Sequence, residues 1–151
     1  MNEREIFTRY FREVQLNFSR LYTTILIRVG LTLPQYALLN QLAALGAVPM
    51  TSISKKLHIS KPAVTNLVDR LEQNRCLKRR AHPKDRRIYL LQIQPKGEKI
   101  VHKIQTQVLV ILLQTLAQFS TSDKKTITHF YKLLSYKMEK ASLSQSRIKS
   151  K

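Results

Sequence analysis

The feature that most constrains this chain is the segment 60–73, which predicts a short helix with two different faces. Ser60 is a favourable N-cap, and Pro62 falls in the first turn, where its missing N–H costs nothing. Apolar residues recur at helical spacing and predict one buried stripe: Val64, Leu67, Val68 and Leu71. The opposite face has donors and acceptors of a size that suits base edges. Taken alone, the segment also fits an ordinary amphipathic surface helix, so its neighbours decide.

Charge narrows the class of partner. The 151 residues suit one domain, and 27 Lys and Arg against 9 Asp and Glu give a net charge of +18. Such an excess predicts an anionic partner, with nucleic acid first and an anionic membrane surface second. One cysteine, no signal peptide and an apolar run (108–113) too short for a bilayer favour a cytoplasmic protein without a membrane partner.

The segments before residue 60 predict three helices. Apolar residues at spacings of three and four indicate a long helix over 3–29, ended by Gly30. Thr32 and Gln35 form a capping box for the second helix. A short third helix over 52–57, capped by Thr51 or Ser52, leads through a three-residue turn into Ser60. This order is typical of a helix-turn-helix, although helical hairpins in general share parts of it.

The segment 75–87 is the most basic part of the chain, with seven positive residues and Asp85. Residues 77–80 and 87–93 predict two strands, and 81–85 supply the turn between them. A basic hairpin directly after a helix-turn-helix is typical of a wing. The alternative is a solvated charged hairpin.

The remaining helices predict how the chain assembles. A fifth helix over 95–119 and a sixth from Ser120 bear apolar stripes. Together with the first helix they present more apolar surface than a small winged domain covers, which favours a two-fold homodimer. A monomer with a folded helical cap is the alternative. Residues 142–151 are rich in Ser and Lys and predict a disordered basic tail.

The predicted fold class is therefore mainly α, a winged helix-turn-helix of about six helices with a two-stranded β-wing. One structural domain is expected. Its dimerisation helices span residues 1–30 and 95–141, and its DNA-binding region spans residues 31–94.

Five segments in this order resemble the multiple antibiotic resistance regulator (MarR) family. They are Leu31–Tyr36, Ser60–Thr65, Leu67–Glu72, Pro83–Arg87 and Pro95–Gly97. The resemblance implies a triangular homodimer with one winged helix-turn-helix per protomer. It also implies near-palindromic operators and release by a small anionic or phenolic ligand, or by oxidation. The sequence departs from the family in two places. The family has a Gly near position 75, after the recognition helix, and here Asn74 is expected to take the left-handed conformation instead. Gln94 stands where the family has a Thr that caps the next helix.

The DNA contacts can be stated as a hypothesis. The major-groove residues are Ser60, Lys61, Pro62, Thr65, Asn66 and Arg70. The wing residues are Lys84, Asp85, Arg86 and Arg87, with Arg87 in the minor groove and Asp85 holding its guanidinium. Thr51 and Lys55 contact phosphates, and Asp69 pairs with a nearby cation rather than a base.

Other sites have less support. Arg28 and Tyr36 are candidate residues of a small-molecule effector pocket, and plain core packing is the alternative. Cys76 is expected to be a buried, inert thiol. The chain has no Gly-rich phosphate loop and no close histidine spacing for a metal, so no enzyme activity, cofactor or metal is expected.

Three functions follow. The first is a dimeric MarR-type transcriptional regulator, expected to be a repressor, that binds duplex DNA and is released by a small ligand. The second is a low-specificity chromosome-binding architectural protein driven by its positive charge. The third is a membrane-surface or partner-binding protein. Comparing operator with random duplex separates the first two.

Overall fold

The computed structural model describes residues 2–85 and 87–148. Six helices and three short strands make up this part of the chain. In order they are α1 (Glu3–Val29), α2 (Leu33–Leu45), β1 (Val48–Pro49), α3 (Met50–Leu57), α4 (Lys61–Gln73), β2 (Leu77–Ala81), β3 (Tyr89–Ile93), α5 (Pro95–Ala117) and α6 (Thr121–Ile148). The predicted winged helix-turn-helix order is confirmed.

Helix ends follow their capping residues. Gly30 ends α1 in the left-handed conformation at φ 68°, which favours glycine because it has no Cβ. The Thr32 and Gln35 side chains bond each other's backbone N–H groups at the start of α2. The predicted cap of α3 at Thr51 or Ser52 is wrong. The helix begins at Met50 with no side-chain cap, because the chain turns into it directly from β1.

The wing belongs to a three-stranded antiparallel sheet in the order β1-β3-β2. The predicted hairpin is confirmed, with Arg79 opposite Leu91. β3 begins at Tyr89 rather than residue 87, because Ile88 belongs to the turn and donates its N–H to the Asp85 carbonyl at 3.0 Å. The sequence did not predict β1, whose two residues pair with β3 and are followed directly by α3.

The core of the winged region (residues 31–94) is made by α2, α3, α4 and the sheet. Its fully buried side chains are Leu38, Leu39, Leu42, Ile53, Val64, Val68, Leu71, Cys76, Leu77 and Leu91. The N-terminal end of α5 packs closely on the start of β2, where a Cβ at Gly97 would overlap the Cys76 carbonyl oxygen. Glycine is therefore required at the point where α5 passes β2.

The chain forms two compact units, residues 1–105 and 106–151, and α5 begins in the first and ends in the second. This division differs from the predicted boundaries at residues 30 and 94 and from the single domain expected. In the second unit α6 continues as helix to Ile148, so a disordered tail from residue 142 is wrong over that range. Residues 149–151 of the predicted tail lie outside the described residues.

The terminal helices bear large exposed apolar side chains. In α1 they include Phe7, Tyr10, Phe11 and Val14, and in the second unit they include Leu109, Leu113, Phe130, Tyr131 and Met138. By length and composition alone, α5 is the one helix of the described residues that is long and apolar enough to cross a bilayer. Core helices of soluble proteins meet the same test.

Candidate nucleic-acid interface

Helix α4 presents one polar face to solvent. The Ala63 N–H donates to Ser60 Oγ at 3.3 Å, which fixes the start of the helix. Val64, Val68 and Leu71 are buried, so the opposite side chains face outward. All six residues predicted for the major groove are exposed: Ser60, Lys61, Pro62, Thr65, Asn66 and Arg70. This face is long enough and polar enough to contact base edges.

The turn between α3 and α4 is fixed by local bonds. His58 ends α3 in the left-handed conformation at φ 53°, and Ser54 Oγ donates to the Ile59 carbonyl at 2.8 Å. Thr51 and Lys55, the predicted phosphate contacts, are both exposed on α3. The turn therefore sets the angle at which α3 and α4 present their outer residues.

Three residues join the wing to α4 and are called the carboxylate clamp: Asp69, Glu72 and Arg79. The Arg79 guanidinium, on β2, donates to the Asp69 carboxylate through Nη2 and to the Glu72 carboxylate through Nη1. The Arg79 backbone N–H also donates to Glu72 Oε1 at 2.8 Å. The prediction that Asp69 pairs with a nearby cation is confirmed.

The carboxylate clamp has an electrostatic consequence. Burial lowers the pKa of Arg79, but its hydrogen bonds to the Asp69 and Glu72 carboxylates more than offset this effect, so the pKa is raised overall. One cation compensates two carboxylates that would otherwise add negative charge beside the polar face of α4. The sequence prediction missed Arg79 and Glu72 in this role. The i,i+3 spacing of Asp69 and Glu72 beside a basic strand was the available signal.

The wing tip is polar and exposed at Lys84, Asp85 and Arg87. Asp85 Oδ1 accepts the backbone N–H of Arg87 at 2.9 Å. The predicted contact of Asp85 with the Arg87 guanidinium is wrong, since no ion pair joins these two side chains in the part of the chain that the structure describes. A carboxylate two residues away reaches the backbone more easily than the end of a long side chain. Arg86 lies outside the described residues.

The junction after α4 differs from the sequence prediction at one residue. Arg75, with φ 56°, takes the left-handed conformation that was expected of Asn74, whose φ is −79°. The Lys96 ammonium donates to the Asn74 carbonyl at 2.9 Å and ties the start of α5 to this junction. Asn74 caps α4 through its backbone N–H, so the turn closes one residue later.

Cys76 is buried, as predicted. Burial raises the pKa of its thiol, and the charge of Lys96 offsets this only in part. The neutral thiol is therefore favoured, which suits a side chain that packs in the core.

The two candidate effector residues lie in different surroundings. Tyr36 is buried and packs on Tyr22, with ring centroids 6.0 Å apart, whereas Arg28 is exposed on α1. Burial, followed by the neighbouring Tyr22, raises the pKa of Tyr36. Their role in ligand binding stays a prediction. Among the described residues, no group of three or more His, Cys, Asp or Glu side chains is placed to hold a metal ion.

Comparison with known proteins identifies the family that the helix-turn-helix and wing resemble. Residues 31–89 match the model of the MarR family. These residues form a MarR-family domain. The match covers the helix-turn-helix and most of the wing, so the predicted family is confirmed for residues 31–89.

Relatives of the MarR-family domain extend the comparison. The HTH-type transcriptional regulator MhqR of Bacillus subtilis is 36% identical over 75 residues, which cover 50% of this chain and 52% of MhqR. The match to the uncharacterized HTH-type transcriptional regulator YsmB of Bacillus subtilis is 31% identical over 83 residues and covers 57% of YsmB, so the chain spans little more than half the length of each of these two relatives.

Solved structures cover more of the chain. A MarR family protein from Bacillus stearothermophilus has a TM-score of 0.76 at 25% identity, covering 92% of this chain and 99% of that one. A point mutant of S. aureus MepR bound to an oligodeoxyribonucleotide has a TM-score of 0.68 at 21% identity. It covers 86% of this chain and 96% of MepR, and at this identity it supports the fold alone.

Proposed function

We propose that this chain is a transcriptional regulator that binds duplex DNA through its MarR-family domain. The observation that supports this most directly is the polar face of α4, held by the carboxylate clamp beside an exposed basic wing tip. A helix of this kind fits the major groove, and a basic hairpin beside it reaches the flanking backbone. MepR, which shares the fold, was solved with DNA bound.

Base contacts are assigned to the exposed face of α4. Asn66 is the residue suited to bidentate bonding with adenine, and Arg70 is suited to guanine. Pro62 and the Thr65 methyl group suit contact with a thymine methyl, because the Thr65 hydroxyl already donates to the Lys61 carbonyl at 3.1 Å. Ser60, Lys61 and the first turn of α4 suit a phosphate.

The wing supplies the second contact. Arg87 enters the minor groove, where the negative potential of a narrow A·T-rich segment favours a guanidinium. Asp85 orders the backbone at Arg87 rather than its side chain. Lys84 and Arg86, together with Thr51 and Lys55 on α3, contact phosphates and provide affinity without sequence preference.

The exposed apolar residues of the terminal helices support a homodimer. Phe7, Phe11 and Val14 recur along one side of α1 and are about half exposed in the single chain. A second copy covers such a surface and supplies a second α4, which matches a near-palindromic operator. The dimer is proposed to act in the cytoplasm as a repressor, and a small effector bound near Arg28 and Tyr36 is proposed to release it.

A low-specificity architectural role is the second candidate. More than half of the net positive charge lies outside residues 31–94, where it adds affinity without base readout. This observation favours a protein that binds any duplex, and the experiment below separates the two functions.

The experiment is selection of bound duplexes from a random pool, followed by affinity measurements at physiological salt. A regulator yields a two-fold related sequence and binds it at least about a thousand times more tightly than random duplex. A ratio below about ten supports the architectural role instead. Arg87→Ala is expected to weaken operator binding by about 1–3 kcal/mol, while Lys55→Gln weakens all sequences alike. Unchanged operator binding by Arg87→Ala removes the wing from the proposal.

A further inference from the structure

A line of basic residues follows one side of α6, in the second compact unit. Six residues line an open groove of about 410 Å³ there: Thr121, Lys124, Lys125, Thr128, His129 and Lys132. Their spacing of three and four residues places them along one side of the helix. We call this surface the α6 basic stripe. It lies outside the MarR-family domain of residues 31–89.

The positive charge of the α6 basic stripe is not neutralised locally. No ion pair joins Lys124, Lys125 or Lys132 to a carboxylate within the described residues 2–85 and 87–148. Asp123, the nearest carboxylate in sequence, accepts the Ser120 hydroxyl at 2.6 Å, and its own N–H donates back to Ser120 Oγ at 3.1 Å. Ser120 Oγ therefore caps the start of α6, and the Asp123 carboxylate is bonded to that cap. Three lysines that repel one another favour an anion bound across the stripe.

We propose that the α6 basic stripe binds the phosphate backbone of duplex DNA, independently of base sequence. Lys124 and Lys132 are about 12 Å apart along the helix axis, at about 1.5 Å per residue. A duplex bears one phosphate charge per about 1.7 Å of its axis, so a linear set of ammonium groups meets several charges at once. Lysine is a point charge suited to phosphate rather than to base edges.

Composition of the stripe favours DNA over a membrane. A helix that lies on a bilayer needs apolar side chains beside its basic ones, and the stripe contains only Thr, Lys and His. The apolar residue Phe130 lies on the side of α6 opposite Thr121, at about 3.6 residues per turn. A hydrated, salt-sensitive contact is the kind that a phosphate backbone forms.

This inference goes beyond the proposed function and rests on it only in taking duplex DNA as the partner. The MarR-family domain provides sequence-selective contacts, and the α6 basic stripe adds a second, non-selective contact in the other compact unit. A regulator of this kind stays bound to non-operator DNA at physiological salt. The stripe gives a structural location to part of the positive charge that the winged region does not contain.

The test is the salt dependence of binding to random-sequence duplex by the full chain. The variant Lys124→Gln, Lys125→Gln and Lys132→Gln is compared with a control that removes the same charge, Lys99→Gln, Lys103→Gln and Lys137→Gln. At about 0.9 per phosphate contact, the stripe variant is expected to lower the slope of log K against log salt by between about two and three units. The control is expected to change the slope by less than about one unit.

A Lys→Arg triple variant at the same three stripe positions is expected to keep the wild-type slope, which separates lost charge from lost folding. Equal slopes in the stripe and control variants overturn the inference, since the effect is then net charge. Failure of the wild type to bind random duplex overturns it as well. If the stripe variant loses binding to phosphatidylserine vesicles and keeps its DNA slope, a membrane replaces DNA as the partner.

The proposed function fails by a different measurement. It depends on the ratio of operator to random affinity, from which a contact that is independent of base sequence cancels, and on Arg87→Ala, which leaves α6 unchanged. A ratio near one with a slope that depends on the stripe refutes the regulator and keeps the inference. A high ratio with a slope that does not depend on the stripe does the reverse.

Discussion

The winged region buries many of its large apolar side chains, whereas the terminal helices leave many of theirs exposed. In the winged region Leu38, Leu39 and Leu42 of α2 are 0% exposed, whereas Phe7 and Val14 of α1 are 60% and 50% exposed. Both sets recur at helical spacing, so periodicity alone does not distinguish them. The difference indicates that one chain completes the core of the winged region and leaves the apolar side of α1 for another surface to cover.

The largest expected effect tests the completed core. Leu39→Ala removes a fully buried side chain and is expected to lower the free energy of unfolding by about 2–5 kcal/mol, because it loses burial and leaves a cavity. Ile27→Ala, at a residue that is 73% exposed on α1, is expected to stay within about 0.5 kcal/mol. Denaturant unfolding of both variants at one protein concentration measures the difference. Equal losses contradict the contrast between the two regions.

The second prediction tests the surface on α1. Phe11→Glu places a charge in the exposed apolar stripe and is expected to weaken self-association by about 2 kcal/mol or more, because a buried charge without a partner is costly. Sedimentation over a range of concentrations measures the change. Ser19→Glu adds the same charge on the polar side of α1 and is the control. A wild-type protein that is monomeric at every concentration removes the homodimer from the proposal.

Most of the fold could be predicted because its signals are local. The Ser60 cap, the Thr32 and Gln35 capping box and the apolar stripe of α4 depend on residues a few positions apart, and all three are present in the structure. β1 could not be predicted, because a two-residue strand that ends at Pro49 is recognised only by its pairing with β3, about forty residues later in the chain. Arg75 took the left-handed conformation for a similar reason, since the contacts after α4 decide where the turn closes.

The candidate site was predictable in its outward residues and less so in what holds them. Exposure of Asn66 and Arg70 follows from helical periodicity. The contact of Arg79 with Glu72 depends on how β2 crosses the end of α4, which no periodicity encodes. The sequence predicted a contact between Asp85 and the Arg87 guanidinium. In the structure the Asp85 carboxylate accepts the backbone N–H of Arg87 instead.

The third prediction concerns the carboxylate clamp, which joins the two parts of the interface. Arg79→Gln is expected to lower the free energy of unfolding by about 1 kcal/mol, since both carboxylates are partly exposed and solvent screens them. Operator binding is expected to fall further, because the wing is less firmly held against α4 and two carboxylates then face the phosphates. Arg80→Gln removes the same charge from an exposed neighbour and is the control. If both variants lose operator affinity equally, the clamp has no positioning role.

The smallest expected effect is a pH dependence of the stability of the winged region, which arises from its buried Cys76 thiol. Burial raises the pKa of the Cys76 thiol above its ordinary value of about 9, so the folded state holds this proton more firmly than the unfolded state. The stabilisation is fully present below that ordinary pKa and is lost as pH rises through the pKa of the folded state.

Cys76→Ala lacks this group, so the stability difference between wild type and variant is expected to shrink on the alkaline side. Denaturant unfolding in a pH series measures it, and Tyr36→Phe separates the second buried acid, whose pKa is also raised. A difference that grows with alkaline pH means that the folded state favours the thiolate, and Cys76 is then a reactive residue rather than part of the core that distinguishes the winged region from the terminal helices.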